Sequence, residues 1–209
     1  MIYNREFVWV HFPKTAGTKT EKIFKKYFSD QHQIHQDPVG LKKDPSMGWH
    51  DSVYGRESKD SDFRLGDRYV LIGTRRLIPW LASKFLFVMK RAPSLDYDKG
   101  LLLEGNFLHA NGQLSHVDSY IENWMPESLR LGHGRILYIR QENFAEEFCQ
   151  VFGKFLDLSK VSSDFLEKRV NATDSLESIE MCNFLYKHRE SIYSNCPEWS
   201  KLESIVYKQ

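Results

Sequence analysis

The chain has few cysteines, and their pattern argues against two classes of small scaffold. Its 209 residues contain three, Cys149, Cys182 and Cys196. An odd number without metal-ligand spacing does not fit a disulfide framework or a zinc site. Cys149 and Cys182 stand within apolar helical patterns, so we expect both to be buried thiols. Buried thiols suit a reducing compartment, and the predicted location is cytoplasmic.

Long apolar runs and an excess of charge are also absent. No run approaches the roughly 20 apolar residues of a membrane-spanning helix, and the first apolar stretch is too short for a signal peptide. A formal net charge of +1 argues against nucleic acid or a membrane surface as a partner chosen by bulk charge. With 41% hydrophobic and 27% charged residues, the composition is that of a globular protein, and we predict one domain over residues 1–209.

The most informative stretch lies near the start of the chain. Phe7 to Phe12 is almost all β-branched or aromatic, which predicts a strand buried on both faces. Pro13 ends that strand because it cannot donate to a sheet ladder. Apolar side chains then recur at helical spacing, at Ile23, Phe24, Tyr27 and Phe28. The stretch is therefore predicted to fold as a strand, a tight polar loop and a helix.

The loop between this strand and helix has the residues of an anion-binding site. A helix N-terminus offers free backbone N–H groups and a partial positive charge. Gly17 lets the backbone approach a ligand closely, Lys14 adds a full charge, and Thr15 and Thr18 add hydroxyl groups. We predict a phosphate or sulfate cradle. The loop does not fit the G-x-x-x-x-G-K-[ST] pattern of a Walker A motif, because no glycine stands at the first position.

Two more apolar runs complete the fold prediction. Tyr69–Thr74 and residues 135–140 read as strands, and helical patterns follow each of them. Three strands, each followed by a helix, predict βα units and a parallel sheet. Ligands of such sheets bind beyond the carboxyl ends of the strands, where Lys14, Arg75 and Arg140 stand.

Other helices are predicted around this framework. Asn143 with Glu146 has the spacing of a cap pair for the helix after the third strand. A short amphipathic helix should begin near Val117 and end before Pro126, and a last long helix should begin near residue 176. Residues 29–67 and 89–115 read as long, largely irregular regions.

The run Pro13-Lys14-Thr15-Ala16-Gly17-Thr18 resembles the 5′-phosphosulfate loop of the sulfotransferases, P-K-T-x-G-T-S. Arg75 and Ser83, eight residues apart after a strand, resemble the family's 3′-phosphate motif. Tyr138–Phe144 resembles its R-x-E-N-[LF] stretch, and Asn171–Thr173 its N-x-[ST] element. Three positions depart from the pattern: Lys19 replaces Ser or Thr, Pro79 is two places late, and Trp80 replaces an arginine.

The resemblance, which spans residues 7–173, implies a compact enzyme that uses PAPS (3′-phosphoadenosine-5′-phosphosulfate). The implied fold is α/β and three-layered with a central parallel sheet, the P-loop NTPase-like sulfotransferase fold. The implied reaction moves a sulfuryl group to a hydroxyl on a carbohydrate or another small hydroxylated molecule, without a metal. The implied cofactor-binding residues are Pro13, Lys14, Thr15, Ala16, Gly17, Thr18, Lys19, Thr20, Arg75 and Ser83.

The implied catalytic residues are Lys14 and His50. Lys14 would stabilise the departing phosphate oxygen, and His50 would accept the proton of the acceptor hydroxyl, with His32 and His35 as other candidates. His11 would brace the loop. Two alternatives stay open, a P-loop kinase or NTPase and a PAPS-fold binding module without catalysis. The acceptor and the oligomeric state are not readable from the sequence.

Overall fold

The structure, a computed structural model, describes residues 1–37, 51–125, 133–168 and 176–207. Contacts divide the chain into two compact units, each built from two separate stretches. Unit 1 comprises Met1–Thr74 and Trp124–Val170, and unit 2 comprises Arg75–Asn123 and Asn171–Gln209.

Unit 1 carries the strands that were expected to form a sheet. Its strands are β1 (Ile2–Tyr3), β2 (Phe7–Val10), β3 (His35–Gln36), β4 (Tyr69–Thr74) and β7 (Ile136–Arg140). Its helices are α1 (Gly17–Tyr27), α2 (Val53–Lys59), α5 (Phe144–Phe152) and α6 (Ser163–Glu167), with 3₁₀ turns at His133–Arg135 and Gln141–Asn143.

Unit 2 is mostly helical. Its hairpin strands are β5 (Asn106–Leu108) and β6 (Leu114–His116). Its helices are α3 (Leu77–Arg91), α4 (Val117–Trp124, whose last residue belongs to unit 1), α7 (Leu176–Lys187), α8 (Arg189–Asn195) and α9 (Pro197–Tyr207), with a 3₁₀ helix at Lys99–Glu104.

Five described strands form one sheet in the order β3-β1-β2-β4-β7. The strands β2, β4 and β7 run parallel, with Val10 opposite Ile72 and Thr74 opposite Arg140. The short strand β1 pairs antiparallel with both β2 and β3. The prediction of an α/β fold with βα units is confirmed at this level: a central, mostly parallel sheet flanked by helices.

Aromatic residues build the core on one face of the sheet. Phe7 and Trp9 of β2 share a cluster with Phe24 of α1 and Phe148 and Phe152 of α5. Phe7 lies 5.6 Å from Phe152 between ring centroids, in an edge arrangement that aromatic pairs prefer. Each fully buried side chain of this size contributes roughly 1.5–3 kcal/mol relative to an exposed one.

The opposite face of the same strands is buried as well. Val8, Val10, Val70 and Ile72 have no exposed surface. Burial on both faces is what continuous apolar runs predict for parallel strands, and it explains why β2 and β4 show no alternation of polar and apolar residues.

Unit 2 has its own aromatic core. Trp80 of α3 is fully buried and packs against Phe107 of the hairpin, Tyr120 of α4 and Trp199 of α9, with ring centroids 4.8–5.7 Å apart. The departure from the family pattern at Trp80 therefore has a structural reason, because this side chain is the centre of a core.

Several local predictions were wrong. Cys149 is exposed and Cys182 is only partly buried, whereas Cys196 is buried. Phe144, Phe148, Val151 and Phe152 form the buried face of α5, and Cys149 lies on its exposed face. Asn143 makes no side-chain cap bond, and Glu146 bonds Gln150 instead, at 2.9 Å.

The long regions and the last helix also differ from expectation. Residues 89–115 contain β5 and most of β6, and the strand predicted to reach Phe12 ends at Val10. The predicted last long helix ends at Lys187, and two shorter helices follow it. Pro126 lies outside the described residues.

Among the described helices, none is both long and apolar enough to cross a membrane.

Candidate anion-binding site

The loop between β2 and α1 has a backbone suited to an anion. Lys14 and Ala16 both adopt left-handed conformations, with φ of 69° and 65°, and α1 begins at Gly17. Non-glycine residues pay roughly 1–2 kcal/mol each for this conformation. Left-handed residues in a turn direct successive N–H groups to one side, which forms a concave anion-binding surface.

The N–H groups of this loop are available for a ligand. The N–H groups of Lys19 and Thr20 both donate to the carbonyl of Ala16, at 2.9 and 3.2 Å. Within the described ranges, no acceptor bonds the N–H groups of the four preceding residues, which are Thr15, Ala16, Gly17 and Thr18. All four residues are among those that the family resemblance implies for the cofactor site.

Thr15 fastens the loop to the sheet. Its hydroxyl donates to the carbonyl of Phe12 at 2.6 Å, so this hydroxyl is used within the loop, whereas the sequence prediction gave it to the ligand. A Cβ on Gly73 of β4 would lie 2.7 Å from the Thr15 Oγ1 and 2.8 Å from its carbonyl oxygen. Only glycine at residue 73 leaves room for the loop to rest on β4.

A buried pair supports the loop from below. Nδ1 of His11 lies 2.6 Å from Oε1 of Glu21 in α1, and both side chains are more than nine-tenths buried. Burial lowers the pKa of His11 to about 3, so the neutral ring donates its Nδ1–H to the carboxylate. A Cβ on Gly17 would lie 1.9 Å from Nε2 of this ring, so the glycine is required by packing.

Two buried polar atoms at the same edge of the sheet have no hydrogen-bond partner within the described part of the chain. Oγ1 of Thr74, the last residue of β4, is buried and bonds no described group. Oε1 of Gln141, which follows β7, is also buried and also bonds no described group. Buried polar atoms are normally hydrogen-bonded, so unpaired ones at the carboxyl ends of adjacent strands are suited to a bound ligand or water.

Arg140 is held by an acidic partner. Its Nε and its backbone N–H both bond the carboxylate of Glu147 in α5, the latter at 2.5 Å. Glu147 is 5% exposed. This pairing joins β7 to α5 and reduces the charge that Arg140 could offer to a second phosphate.

Lys19 does not point its charge into the loop. Its Nζ donates to the carbonyl of Leu166 and lies 4.8 Å from the ring centroid of Phe144. Its backbone N–H is also occupied, by Ala16. The departure from Ser or Thr at this position thus makes a bridge from α1 to α6, and burial lowers the pKa of the ammonium. Thr20, which could have supplied the missing hydroxyl, is 2% exposed.

The two residues of the predicted 3′-phosphate motif lie in unit 2. Arg75 is half-buried directly after β4, and Ser83 is 9% exposed on α3. The neighbouring Arg76 pairs with Glu203 at 3.7 Å, and its guanidinium lies 4.2 Å from the centroid of the Tyr207 ring.

A carboxylate of the protein caps the helix that carries Ser83. Oε1 of Glu203 accepts the N–H of Leu77 at 2.6 Å and the hydroxyl of Tyr193 at 2.8 Å. The N-terminus of α3 therefore interacts with a carboxylate of the protein itself. The predicted 3′-phosphate motif is left with the Arg75 guanidinium and the Ser83 hydroxyl as its ligand-binding groups.

The predicted base and one motif lie outside the described residues, namely His50 and Asn171–Thr173. The other two histidines are described. His35 stacks on Tyr3 with ring centroids 4.4 Å apart, and its Nε2 lies 3.0 Å from Oδ1 of Asp37. His32 is exposed.

Both of these histidines line a cavity of about 430 Å³. Arg5 and Arg68 also line it, and these residues precede β2 and β4. The cavity therefore lies toward the end of the sheet where the parallel strands begin, away from the loop that follows β2.

In the ranges that the structure describes, no three His, Cys, Asp or Glu side chains are grouped so that they could hold a metal ion.

The fold and this loop define a mixed α/β protein with a candidate anion cradle at the carboxyl edge of its sheet. No family model, curated protein or solved structure matches the chain.

Several residues of this site were not found from the sequence. These residues are Glu21, Gly73 and Glu147. Only Gly73 left a signal, because glycine inside an apolar strand often marks a close backbone approach.

Proposed function

We propose that the protein is a PAPS-dependent sulfotransferase with the P-loop NTPase-like sulfotransferase fold. The observation that carries this proposal is the loop Pro13–Thr18. It lies between a buried parallel strand and a helix, and four of its N–H groups have no acceptor in the described part of the chain. The sequence of the same loop is the motif on which the family resemblance rests.

The chemistry of the loop fits a phosphosulfate. Backbone N–H groups of Thr15 to Thr18 would hold the 5′-phosphate, and the Lys14 ammonium would neutralise charge on the bridging oxygen as the bond to sulfur breaks. PAPS supplies the sulfuryl group and leaves as 3′,5′-adenosine bisphosphate. The buried hydroxyl of Thr74 supports a ligand at this edge.

The remaining roles follow the family resemblance. Arg75 and Ser83 are proposed for the 3′-phosphate, and His50 for the base that takes the proton of the acceptor hydroxyl. The acceptor is proposed to be a carbohydrate or another small hydroxylated molecule. His50 is favoured over His35 as the base for two reasons. His35 pairs with Asp37, and His35 lies toward the other end of the sheet from the loop.

The test is calorimetric titration of the full chain with 3′,5′-adenosine bisphosphate, beside ATP with Mg²⁺. Lys14→Met should weaken bisphosphate binding at least about tenfold, because a charged hydrogen bond contributes about 1.5–3 kcal/mol. Lys22→Met is the matched control, since Lys22 is an exposed lysine of α1. Arg75→Ala should also weaken binding.

Three results would overturn the proposal. Preference for ATP with Mg²⁺ over the bisphosphate would point to a kinase or NTPase. Equal losses in the Lys14 and Lys22 variants would show that binding depends on general charge and not on the loop. Tight bisphosphate binding without release of bisphosphate from PAPS in the presence of any hydroxylated acceptor would favour a binding module.

A further inference from the structure

A buried lysine in unit 2 has no anionic partner among the residues that the structure describes. Lys84 of α3 is 7% exposed, one helical turn after Trp80. Its Nζ lies 4.9 Å from the ring centroid of Phe107 and 5.7 Å from that of Tyr120. Among the described residues, no acceptor bonds this ammonium. Lysine is almost never buried without a partner, so the position calls for an explanation.

The β5–β6 hairpin brings two more polar groups to the same aromatic rings. His109 lies 5.1 Å from Phe107 and 6.0 Å from Tyr120 between ring centroids. Its Nε2 lies 2.9 Å from Oγ of Ser115, which is on the adjacent strand. His109 and Ser115 are half-buried, so this side of the cluster reaches the surface.

The two nitrogen groups are close enough to influence each other. Burial lowers the pKa of Lys84 to about 8. Burial and then the charge of Lys84 lower the pKa of His109. An anion between them would relieve this repulsion, whereas a cation would increase it. The rings of Phe107 and Tyr120 attract the ammonium but offer no hydrogen-bond acceptor comparable to a carboxylate.

We propose that Lys84, His109 and Ser115 form a binding site for one small oxyanion, either a carboxylate or a sulfate ester, carried by an organic ligand. Lys84 supplies the charge and two or three N–H donors, Ser115 or His109 supplies a further donor, and the face of Phe107 contacts the carbon skeleton of the ligand. This site stands without the proposed sulfotransferase activity, and its test uses no nucleotide.

The experiment titrates the full chain with sodium acetate and, separately, with sodium methyl sulfate at constant ionic strength. The readout is the ring signals of His109 in ¹H–¹⁵N spectra, assigned with His109→Gln. One or both probes should shift these signals along a saturating curve. Lys84→Met should weaken that binding at least tenfold, and Lys90→Met, an exposed lysine of the same helix, should leave it unchanged.

The outcomes separate the two ligand classes and the proposal itself. Saturation by acetate alone identifies a carboxylate site, and saturation by methyl sulfate alone identifies a sulfate-ester site. Shifts that never saturate, or that are the same in Lys84→Met, would overturn the proposal. Ser115→Ala, which keeps every charge, should weaken binding severalfold, and this variant decides the matter if Lys84→Met does not fold.

Discussion

Two neighbouring residues of the loop, Ala16 and Gly17, are constrained in different ways: Ala16 has a backbone conformation that favours glycine, and Gly17 must be glycine for packing. Ala16 has a left-handed φ of 65°, which glycine adopts more readily, and Gly17 contacts the buried His11 ring, which excludes a Cβ. The sequence predicted that Gly17 serves close approach to an anion. The structure adds a second reason, which no pattern could reveal because His11 and Gly17 meet only in the folded loop.

Single substitutions of these two residues should change the free energy of unfolding by different amounts. Gly17→Ala should lower the free energy of unfolding by about 2–3 kcal/mol, since the new Cβ overlaps a buried ring that has no space to move. Ala16→Gly should stay within about 1 kcal/mol of the native protein, because relief of strain offsets a more flexible unfolded chain. Urea denaturation measures both. A fully stable Gly17→Ala protein would contradict the packing described for His11.

Lys84 gives a pH dependence with a defined sign. Its pKa falls from 10.5 to about 8 on folding, so the folded protein binds this proton more weakly than the unfolded chain. Stability is therefore lost as pH falls from 10.5 to 8, by at most about 3 kcal/mol, and stays at that lower level below pH 8.

Lys84→Met removes this proton and should raise the free energy of unfolding by about 1–3 kcal/mol near pH 7. The advantage of the variant should shrink as pH rises from 8 to 10.5 and vanish above 10.5, where the native lysine is neutral in both the folded and the unfolded state. Urea denaturation of the native protein and of Lys84→Met is measured in parallel over this pH range. Tyrosines and cysteines titrate in both proteins, so the difference between the two free energies of unfolding reports on Lys84. A difference that does not change with pH would rule out burial of the charged ammonium.

At the level of the elements, the strongly periodic segments could be predicted and the short ones could not. The strands β2, β4 and β7 are continuous apolar runs, and α3 and α5 carry apolar stripes. The two-residue strands β1 and β3 have no pattern of their own and exist because they pair with β2 and with each other. The ends of helices are hard to predict for a similar reason, because the residue that caps a helix can be distant in sequence. The N-terminus of α3 is capped by Glu203, which is 126 residues away from Leu77.

A similar long-range contact governs Lys19, which the sequence placed in the cofactor site. Lys19→Met should lower the free energy of unfolding by about 1 kcal/mol, because it removes a hydrogen bond between α1 and the carbonyl of Leu166. Affinity for 3′,5′-adenosine bisphosphate should change by less than about twofold, or 0.4 kcal/mol. Lys22→Met, on the exposed side of α1, should change neither quantity.

Urea denaturation and calorimetric titration of the native protein, Lys19→Met and Lys22→Met measure the stability and the affinity. A Lys19 variant with native stability but tenfold weaker binding would show instead that this side chain contacts the ligand.

For the whole molecule, the amino-acid pattern predicted the class of fold and the position of Lys14 and Arg140 at the carboxyl ends of parallel strands, because both follow from the order of strands and helices. It did not predict that contacts divide the chain into two units, each assembled from distant stretches. Such a division depends on which helices share a core. The helices α3 and α9, for example, meet at Trp80 and Trp199, and no periodicity in the local sequence indicates that they pack together.

The prediction of a single domain can be tested through the ligand. A ligand that binds only the folded state stabilises whatever unfolds together with its site, by about 2.7 kcal/mol at a hundredfold excess over Kd. If the 209 residues unfold as one cooperative domain, 3′,5′-adenosine bisphosphate should move the entire calorimetric transition to higher temperature, and the calorimetric and van't Hoff enthalpies should agree. At the same ligand concentration, Lys14→Met should reduce this stabilisation to about 1.4 kcal/mol or less, because tenfold weaker binding leaves only a tenfold excess over Kd, and it should not change the number of transitions. Two transitions of which the ligand moves only one would show instead that the chain comprises two thermodynamic domains, and the transition that moved would identify the one that binds the nucleotide.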